Sequence, residues 1–373
     1  METLGLYIDF PFCIARCAFC AFDVEGYRVK WAERYMDALH QEIKIYAALP
    51  EIAGREITSI YLGGGTPSHY PSAVLENLLT QCRNLFKISA DAEITLEAHP
   101  ATIDKNNLCD FQKMDINRLS LGMQSFSDEQ LKQLGRHHTA QQAITAFQNA
   151  RKAGFENIGI DLMYGLPNEH AKDWEKTLQQ AIALSPEHIS IYALSIESGT
   201  LFDKKHRAGK LNLCSEEDSA ALYEKAQVLL TQANYKQYEI SNFAKAGYES
   251  QHNLRYWNQE EVLSFGISGH SYLNGERTVN IGKIPDYIKK LEMGTLPIAE
   301  QEKVHPRDAE IDHVIFGLRK TEGIPVYNIL RDPVFRKINQ KLEHAGLLHN
   351  KAGRIKLTSK GMHFADEVAM AFL

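Results

Sequence analysis

The chain has 373 residues, 44% of them hydrophobic and 24% charged, with a formal net charge of −6. That length can bury a sizeable core as one large domain, or as a large one with a smaller companion. There is no basic field to attract nucleic acid as a primary ligand, no apolar run near membrane-span length, and no basic-then-apolar secretory pattern at Met1–Gly5, so the expectation is a cytoplasmic protein that is not integral to a membrane.

The first two hundred residues read as strand, loop and helix in repeated order. Short apolar runs predict strands at Leu4–Ile8, Ser59–Leu62, Glu93–Ala98, Arg118–Met123, Asn157–Leu162 and His188–Ala193, each taken as buried on both faces. Trp31, Tyr35, Leu39, Ile43 and Tyr46 recur at spacings of three and four and predict a helix over Trp31–Ala48. Thr139–Ala153 and Ala171–Leu184 show the same pattern, and Pro50, Pro71 and Pro186 mark boundaries. Six βα units in series imply a parallel sheet with right-handed crossovers, either doubly wound and open or a partial barrel.

The loop after the first strand carries Cys13, Cys17 and Cys20 in C-x3-C-x2-C spacing. Clustered thiolates in a chain without a signal read as soft metal ligands in a reducing compartment, holding zinc or an iron–sulfur group. Three cysteines on a four-iron cube leave one iron without a protein ligand. The other three cysteines, Cys82, Cys109 and Cys214, have no ligand spacing and read as small buried apolar residues.

Further polar residues fall at the ends of successive predicted strands: Gly63-Gly64-Gly65-Thr66-Pro67 after the second, Glu97 at the third, Gln124 after the fourth, Asp161 at the fifth and Glu197 past the sixth. Parallel α/β sheets build their sites on this face. The glycine run lacks both the Walker lysine and the G-x-G-x-x-G spacing. It is either a tight turn or a loop whose bare backbone approaches the amino group of a ligand. Buried carboxylates at such places pair with structural partners or accept from ribose hydroxyls. Arg136 is either a plain surface residue or a bidentate clamp for a carboxylate.

Downstream, Ser215–Ala233 predicts a helix capped by Ser215, and Tyr235–Ile240 a further strand. Pro297–Pro306 reads as a polar linker. Helices at Ala309–Arg319 and Val334–Ala345, a hairpin of Leu347–His349 with Ile355–Leu357 and a last helix from Ser359 suggest a small winged-helix-like α/β domain. The domains expected are 1–235 as core, 236–296 as its extension and 297–373 as the C-terminal unit.

The cysteine spacing, with Phe19 before the last thiol, resembles the signature of radical S-adenosylmethionine (SAM) proteins. Tyr61–Ser68, Leu96–Pro100, Asn117–Phe126 and Asp161–Pro167 resemble the coproporphyrinogen-oxidase-like family within it. The resemblance implies a partial (β/α)6 TIM-like barrel and a 4Fe-4S cluster on Cys13, Cys17 and Cys20. It also implies SAM bound through its amino and carboxylate groups to the open iron. Tyr7, Phe19, Gly64, Gly65, Thr66, Glu97, Gln124, Arg136, Asp161 and Ala193 match the family's SAM-contact positions.

Two branches of the family compete. Oxygen-independent coproporphyrinogen III oxidases have a further cysteine two residues past the cluster motif, where this chain has Phe22, and a long extension before the cluster, where Cys13 here is almost at the start. His252-Asn253-Leu254-Arg255-Tyr256-Trp257 matches the H-N-x-x-Y-W motif of the haem-chaperone branch. That branch implies haem as ligand and haem-accepting clients, such as membrane-bound or soluble respiratory cytochromes, as partners. His252 is a candidate axial ligand of haem iron or a member of a loop hydrogen-bond network. The chain departs from the family at Asp9, usually histidine, at Ala21, usually aspartate, and over Ser264–Ser271, an altered glycine-rich motif. None of these removes a cluster ligand.

Overall fold

In the computed structural model, which describes residues 3–373, the six predicted strands are present, the first five of them longer than expected and the sixth with the expected bounds. They are β1 Thr3–Phe10, β2 Glu56–Gly64, β3 Lys87–Ala98, β4 Arg118–Gln124, β5 Asn157–Tyr164 and β6 His188–Ala193. Each pairs in parallel with the next. Beyond β6 follow β7 Asn242–Ala244, β8 Val262–Phe265, β9 His270–Leu273, β10 Glu276–Asn280 and β11 Ile298–Lys303. β8 returns to the far side of β1 and adds a seventh parallel strand, with Tyr7 opposite Ser264. β9, β10 and β11 extend that edge antiparallel, and β7 closes on β6 antiparallel. The twelve-stranded sheet runs open from β11 to a two-residue strand at Lys236–Gln237. An open sheet wound by parallel βα units is the partial-barrel architecture expected.

The strands are buried, as expected, but only one of their two faces is apolar. Leu4, Leu6, Ile8 and Phe10 of β1 are fully buried beneath helices. The residues between them, Gly5, Tyr7 and Asp9, pair in register with Ser59, Tyr61 and Gly63. The same alternation continues through Glu93, Thr95 and Glu97, Arg118 and Ser120, Gly159 and Asp161, and His188 and Ser190. Successive side chains of a strand point to opposite faces. One face of the sheet is therefore packed with leucine and isoleucine, and the other collects tyrosine, serine, carboxylate and arginine. The predicted short runs contained this alternation, masked by the apolar residue at every second place.

The helices cover the apolar face. Val29–Ala47 buries Tyr35, Leu39 and Ile43. Thr139 caps Ala140–Ala153 in a reciprocal box with Gln142. Ala171–Leu184 and Glu216–Gln232, the latter capped by Ser215, lie within a residue of the expected bounds. Of the scattered cysteines, Cys82 is buried as expected, whereas Cys109 and Cys214 are half-buried.

Pro297–Pro306 is not a linker. Six of its residues form β11, with Glu300 opposite Val279 and Glu302 opposite Arg277. Its run of polar side chains reflects an exposed edge strand. The expected strand at Tyr235–Ile240 shrinks to Lys236–Gln237. The C-terminal segment has its own core around Val314, Ile324, Ile329, Phe335 and Ile355. Helix Pro306–Gly317, a short strand, helix Pro333–His344 and the hairpin Leu348–Lys351 with Arg354–Leu357 follow in winged-helix order. Ala352 and Gly353 make the hairpin turn, both with positive φ (52° and 73°), as a two-residue turn of the right twist requires. No helix among the described residues is long and apolar enough to cross a membrane.

Candidate functional site

The loop after β1 is pinned along its length. The Gly65 N–H donates to the Phe10 carbonyl at 2.9 Å, Thr66 to Phe12 at 3.1 Å and Tyr27 to Cys13 at 3.0 Å. Ala18 donates to Leu134 at 2.9 Å and accepts from Phe202 at 2.9 Å. Held in this way, Cys13, Cys17 and Cys20 line one cavity of about 710 Å³ at the carboxyl ends of the strands. All three thiols are partly accessible. Burial pushes the Cys13 thiol up to about 11, with Cys17 and Cys20 adding to the rise and Thr66 and Arg136 opposing it. Burial also raises Cys20. Crowded thiols that disfavour each other's thiolates fit a positively charged metal group, which supplies the compensating charge. Among the described residues, no three His, Cys, Asp or Glu side chains converge on one ion. The cavity that the thiols line, about 710 Å³, has room for a polynuclear iron–sulfur group.

The glycine loop shows why its residues lack side chains. Gly64 has φ +96°, and a Cβ there would lie 2.0 Å from Asp9 Oδ1. A Cβ on Gly65 would come within 2.6 Å of the Phe10 carbonyl oxygen and 3.0 Å of Cys13 Sγ. The loop is therefore laid against the cysteine loop backbone to backbone. Asp9, in the position of the family's histidine, is raised well above the usual carboxylate range by burial, then by Glu97 and Asp23, and its Oδ2 is buried without a partner.

Glu97 and Asp161 face the same cavity from β3 and β5. Tyr61 donates its hydroxyl to Glu97 at 2.9 Å, and Ser120 donates to Asp161 at 3.0 Å. Burial and the neighbouring Asp161 push Glu97 up to about 7. Burial also raises Asp161, against the pull of Ser190, Ser120 and Arg118. Gln124 lines the cavity from the end of β4. Its φ is +66° where the register with β5 slips, and such strain in a non-glycine residue collects at functional sites. Arg136 reaches Cys17 Sγ at 3.5 Å through Nη1 and the Gly122 carbonyl through Nη2.

Gly64, Gly65, Thr66, Phe19 and Ala193 line the cavity as well. Tyr7 does not, although its ring stacks behind Tyr61 at 5.8 Å. His252 is likewise absent from the lining, being 1% exposed inside the sheet. Tyr256 is partly exposed, and Trp257 packs under Arg319, whose guanidinium carbon is 4.7 Å from the ring centre. The sequence reading missed Tyr61, His99, Ser190 and Asn253 as cavity residues. The period-two alternation would have found Tyr61 and Ser190. His99 follows Glu97 by two residues on the same run. No sequence signal could have placed Asn253, which arrives from a distant helix.

An open parallel sheet with three thiols at its carboxyl edge defines the radical SAM class, and residues 7–181 match the radical SAM superfamily. The chain belongs to the HemW family within it. It is 35% identical to the heme chaperone HemW of Bacillus subtilis over 98% of both chains, and 33% identical to HemW of Escherichia coli over 100% of this chain and 99% of that one. Its structure superposes on coproporphyrinogen III oxidase (HemN) of Escherichia coli, a radical SAM enzyme, with a TM-score of 0.87. That match has 25% identity and covers 100% of this chain and 90% of that one.

Proposed function

We propose that the protein is a haem chaperone that binds a 4Fe-4S cluster, SAM and haem, and delivers haem to haem-requiring proteins such as respiratory cytochromes. The observation that carries this reading is full-length identity to HemW proteins together with an intact thiol-lined cavity. Cys13, Cys17 and Cys20 would hold the cluster. When bound, the cluster and SAM supply the means for reductive cleavage of SAM. In this reading the backbone of Gly64–Thr66 would take the amino group, Arg136 would donate to the carboxylate, and Glu97 and Asp161 would accept from the ribose hydroxyls. Phe19, Gln124 and Ala193 form walls of the same space, with Tyr7 supporting from behind.

The second reading, an oxygen-independent coproporphyrinogen III oxidase or another porphyrin-modifying radical SAM enzyme, draws on the fold match to the oxidase. Against it stands Phe22, 67% exposed at the mouth of the cavity, in the place of the oxidase branch's further cysteine.

Anaerobic reconstitution with iron and sulfide, followed by haem titration and a coproporphyrinogen assay on one sample, tests both. The expected result is stoichiometric haem binding with no decarboxylation. Decarboxylation at catalytic rates would overturn the chaperone reading.

A further inference from the structure

The hexapeptide His252–Trp257 lies on the helix Gln251–Asn258. The start of that helix is anchored from inside the sheet. The Glu93 carboxylate of β3 accepts from the backbone N–H groups of His252 at 3.1 Å and Gln251 at 3.2 Å, and from the Ser250 hydroxyl at 3.4 Å. A carboxylate at a helix N-terminus is favourable there. The anchor draws the first turn against the polar face of the sheet and buries His252.

Both ring nitrogens of His252 are occupied. Nδ1 lies 2.9 Å from Ser59 Oγ and Nε2 3.3 Å from the Tyr256 hydroxyl. Burial, with Arg255 and Arg118 nearby, pushes the imidazole down to about 3, so the ring is neutral and offers one donor and one acceptor. Each hydroxyl can supply the complement. An iron ligand needs a ring nitrogen that faces open space, and this ring has none.

What His252 touches instead is the cofactor cavity's wall. Its ring packs on Tyr61, with centroids 5.2 Å apart, and Tyr7 stacks on Tyr61 at 5.8 Å. The Tyr61 hydroxyl donates to Glu97. The next residue of the motif, Asn253, lines the cavity itself.

We propose that His252 is a positioning residue of the SAM site: it fixes Tyr61, and through Tyr61 the Glu97 carboxylate, rather than ligating haem iron. This inference rests on the reading of the cavity as a SAM site. The motif then couples the helix to the cofactor end of the sheet, and haem ligation falls to another group.

The test uses reconstituted full-length protein and three readouts: SAM affinity by equilibrium dialysis, the electron paramagnetic resonance change of the reduced cluster on adding SAM, and the Soret band on haem titration. His252→Ala should weaken SAM binding about 10-fold and diminish the SAM-induced spectral change, with the Soret position unaltered. His252→Phe keeps a ring against Tyr61 but cannot bind iron. It should restore SAM affinity to within about threefold of wild type and leave the Soret band in place. Tyr61→Phe, which removes only the hydroxyl on Glu97, should weaken SAM binding with cluster content unchanged. Loss of the haem band in His252→Phe would overturn the inference, as would unchanged SAM affinity in His252→Ala while wild type binds SAM. Wild type that binds no SAM would overturn the inference together with the SAM reading beneath it.

Discussion

Arg136 sets its guanidinium against the Cys17 thiol, with Nη1 3.5 Å from Sγ. It is held in place by its second bond to the Gly122 carbonyl of β4, while its Nε is buried with no partner. A guanidinium stays charged at any working pH. It therefore opposes the rise of the thiols, and the residue lines the cavity. A charge-assisted hydrogen bond to a ligand carboxylate is worth about 1.5–3 kcal/mol.

Arg136→Ala should lower SAM affinity about 10- to 100-fold. It should also shift the cluster's midpoint potential downward, because the removed positive charge favours the reduced, more negative state. Arg136→Lys should recover the potential but only part of the affinity, since an ammonium lacks the bidentate fork. Potentiometric titration and equilibrium dialysis measure the two effects separately. Equal affinity in Arg136→Lys and wild type would show that the fork has no role.

Cys13, Cys17 and Cys20 line the cavity, whereas Cys82, buried in the apolar core, is absent from its lining. Serine at any one of the first three should abolish stable cluster assembly, read as iron and sulfide bound per chain after anaerobic reconstitution. Cys82→Ser should leave iron content unchanged and cost stability only, as a hydroxyl in an apolar site does. Iron retained by Cys17→Ser at wild-type level would remove Cys17 from the ligand set.

Gly64→Ala combines a backbone penalty with a clash: φ is +96°, and the new Cβ meets Asp9 Oδ1 at 2.0 Å and the Phe10 nitrogen at 3.3 Å. The expected cost is about 2–4 kcal/mol from left-handed strain plus overpacking. The damage should extend to cluster loading, because the same loop braces Cys13. Chemical denaturation of the apo protein isolates the stability term. A loss under about 0.5 kcal/mol would mean that neither the left-handed backbone nor Asp9 resists the added methyl group.

The elements most legible in the sequence were those with one strong periodicity. Val29–Ala47 and Ala171–Leu184 carry apolar residues on one helical face and end where proline or a cap intervenes. The three thiols and the Gly63–Gly65 loop were legible because their spacing is chemical rather than statistical. The short strands concealed the polar face, since an isoleucine or leucine at alternate positions dominates a six-residue window. Thr95, Ser120 and Ser190 look incidental until register sets them opposite Arg118, Glu97 and Asp161. β8 and β11 were illegible for opposite reasons. β8 is four residues long and runs straight into a glycine-containing turn, and β11 is an edge strand whose solvated side chains imitate a linker. The depth of His252 follows from Glu93, which lies 159 residues away in sequence.

Glu42 gives the protein a pH-dependent stability. It is fully buried, accepts from Gly266 N–H at 2.8 Å, Asn280 Nδ2 at 2.6 Å and the Tyr287 hydroxyl at 2.6 Å, and burial pushes it up to about 7 from 4.5. A raised folded-state value means that the native state holds its proton longer than the unfolded chain does. The contribution is fully present below pH 4.5 and is lost as pH rises through about 7. Glu42→Gln should flatten the decline in unfolding free energy between these limits by about 3 kcal/mol, measured by urea denaturation across pH. A decline as steep in the variant as in wild type would assign the slope to other groups, with Glu97 and Glu169 the next candidates, since burial also pushes both up to about 7.

The helix of His252 ends in a contact of another kind. Trp257 lies beneath Arg319, 4.7 Å from ring centre to guanidinium carbon, and beside Phe316 at 6.4 Å. Both partners belong to the C-terminal segment, which is also tied by backbone bonds from Ile240 to Arg319 and from Thr321 to Tyr238. One helix thus touches the thiol-lined cavity at its first turn and the C-terminal segment at its last. Trp257→Ala removes a cation–π contact worth about 0.5–2 kcal/mol together with ring burial. It should raise amide exchange across residues 306–344 while leaving SAM affinity within about twofold of wild type, because Trp257 is absent from the cavity wall. Hydrogen exchange with mass spectrometry and dialysis read the two ends independently. If Trp257→Ala weakened SAM binding as His252→Ala is expected to, the helix would move as one rigid piece, and docking of the winged unit would be part of what holds Tyr61 and Glu97 in place.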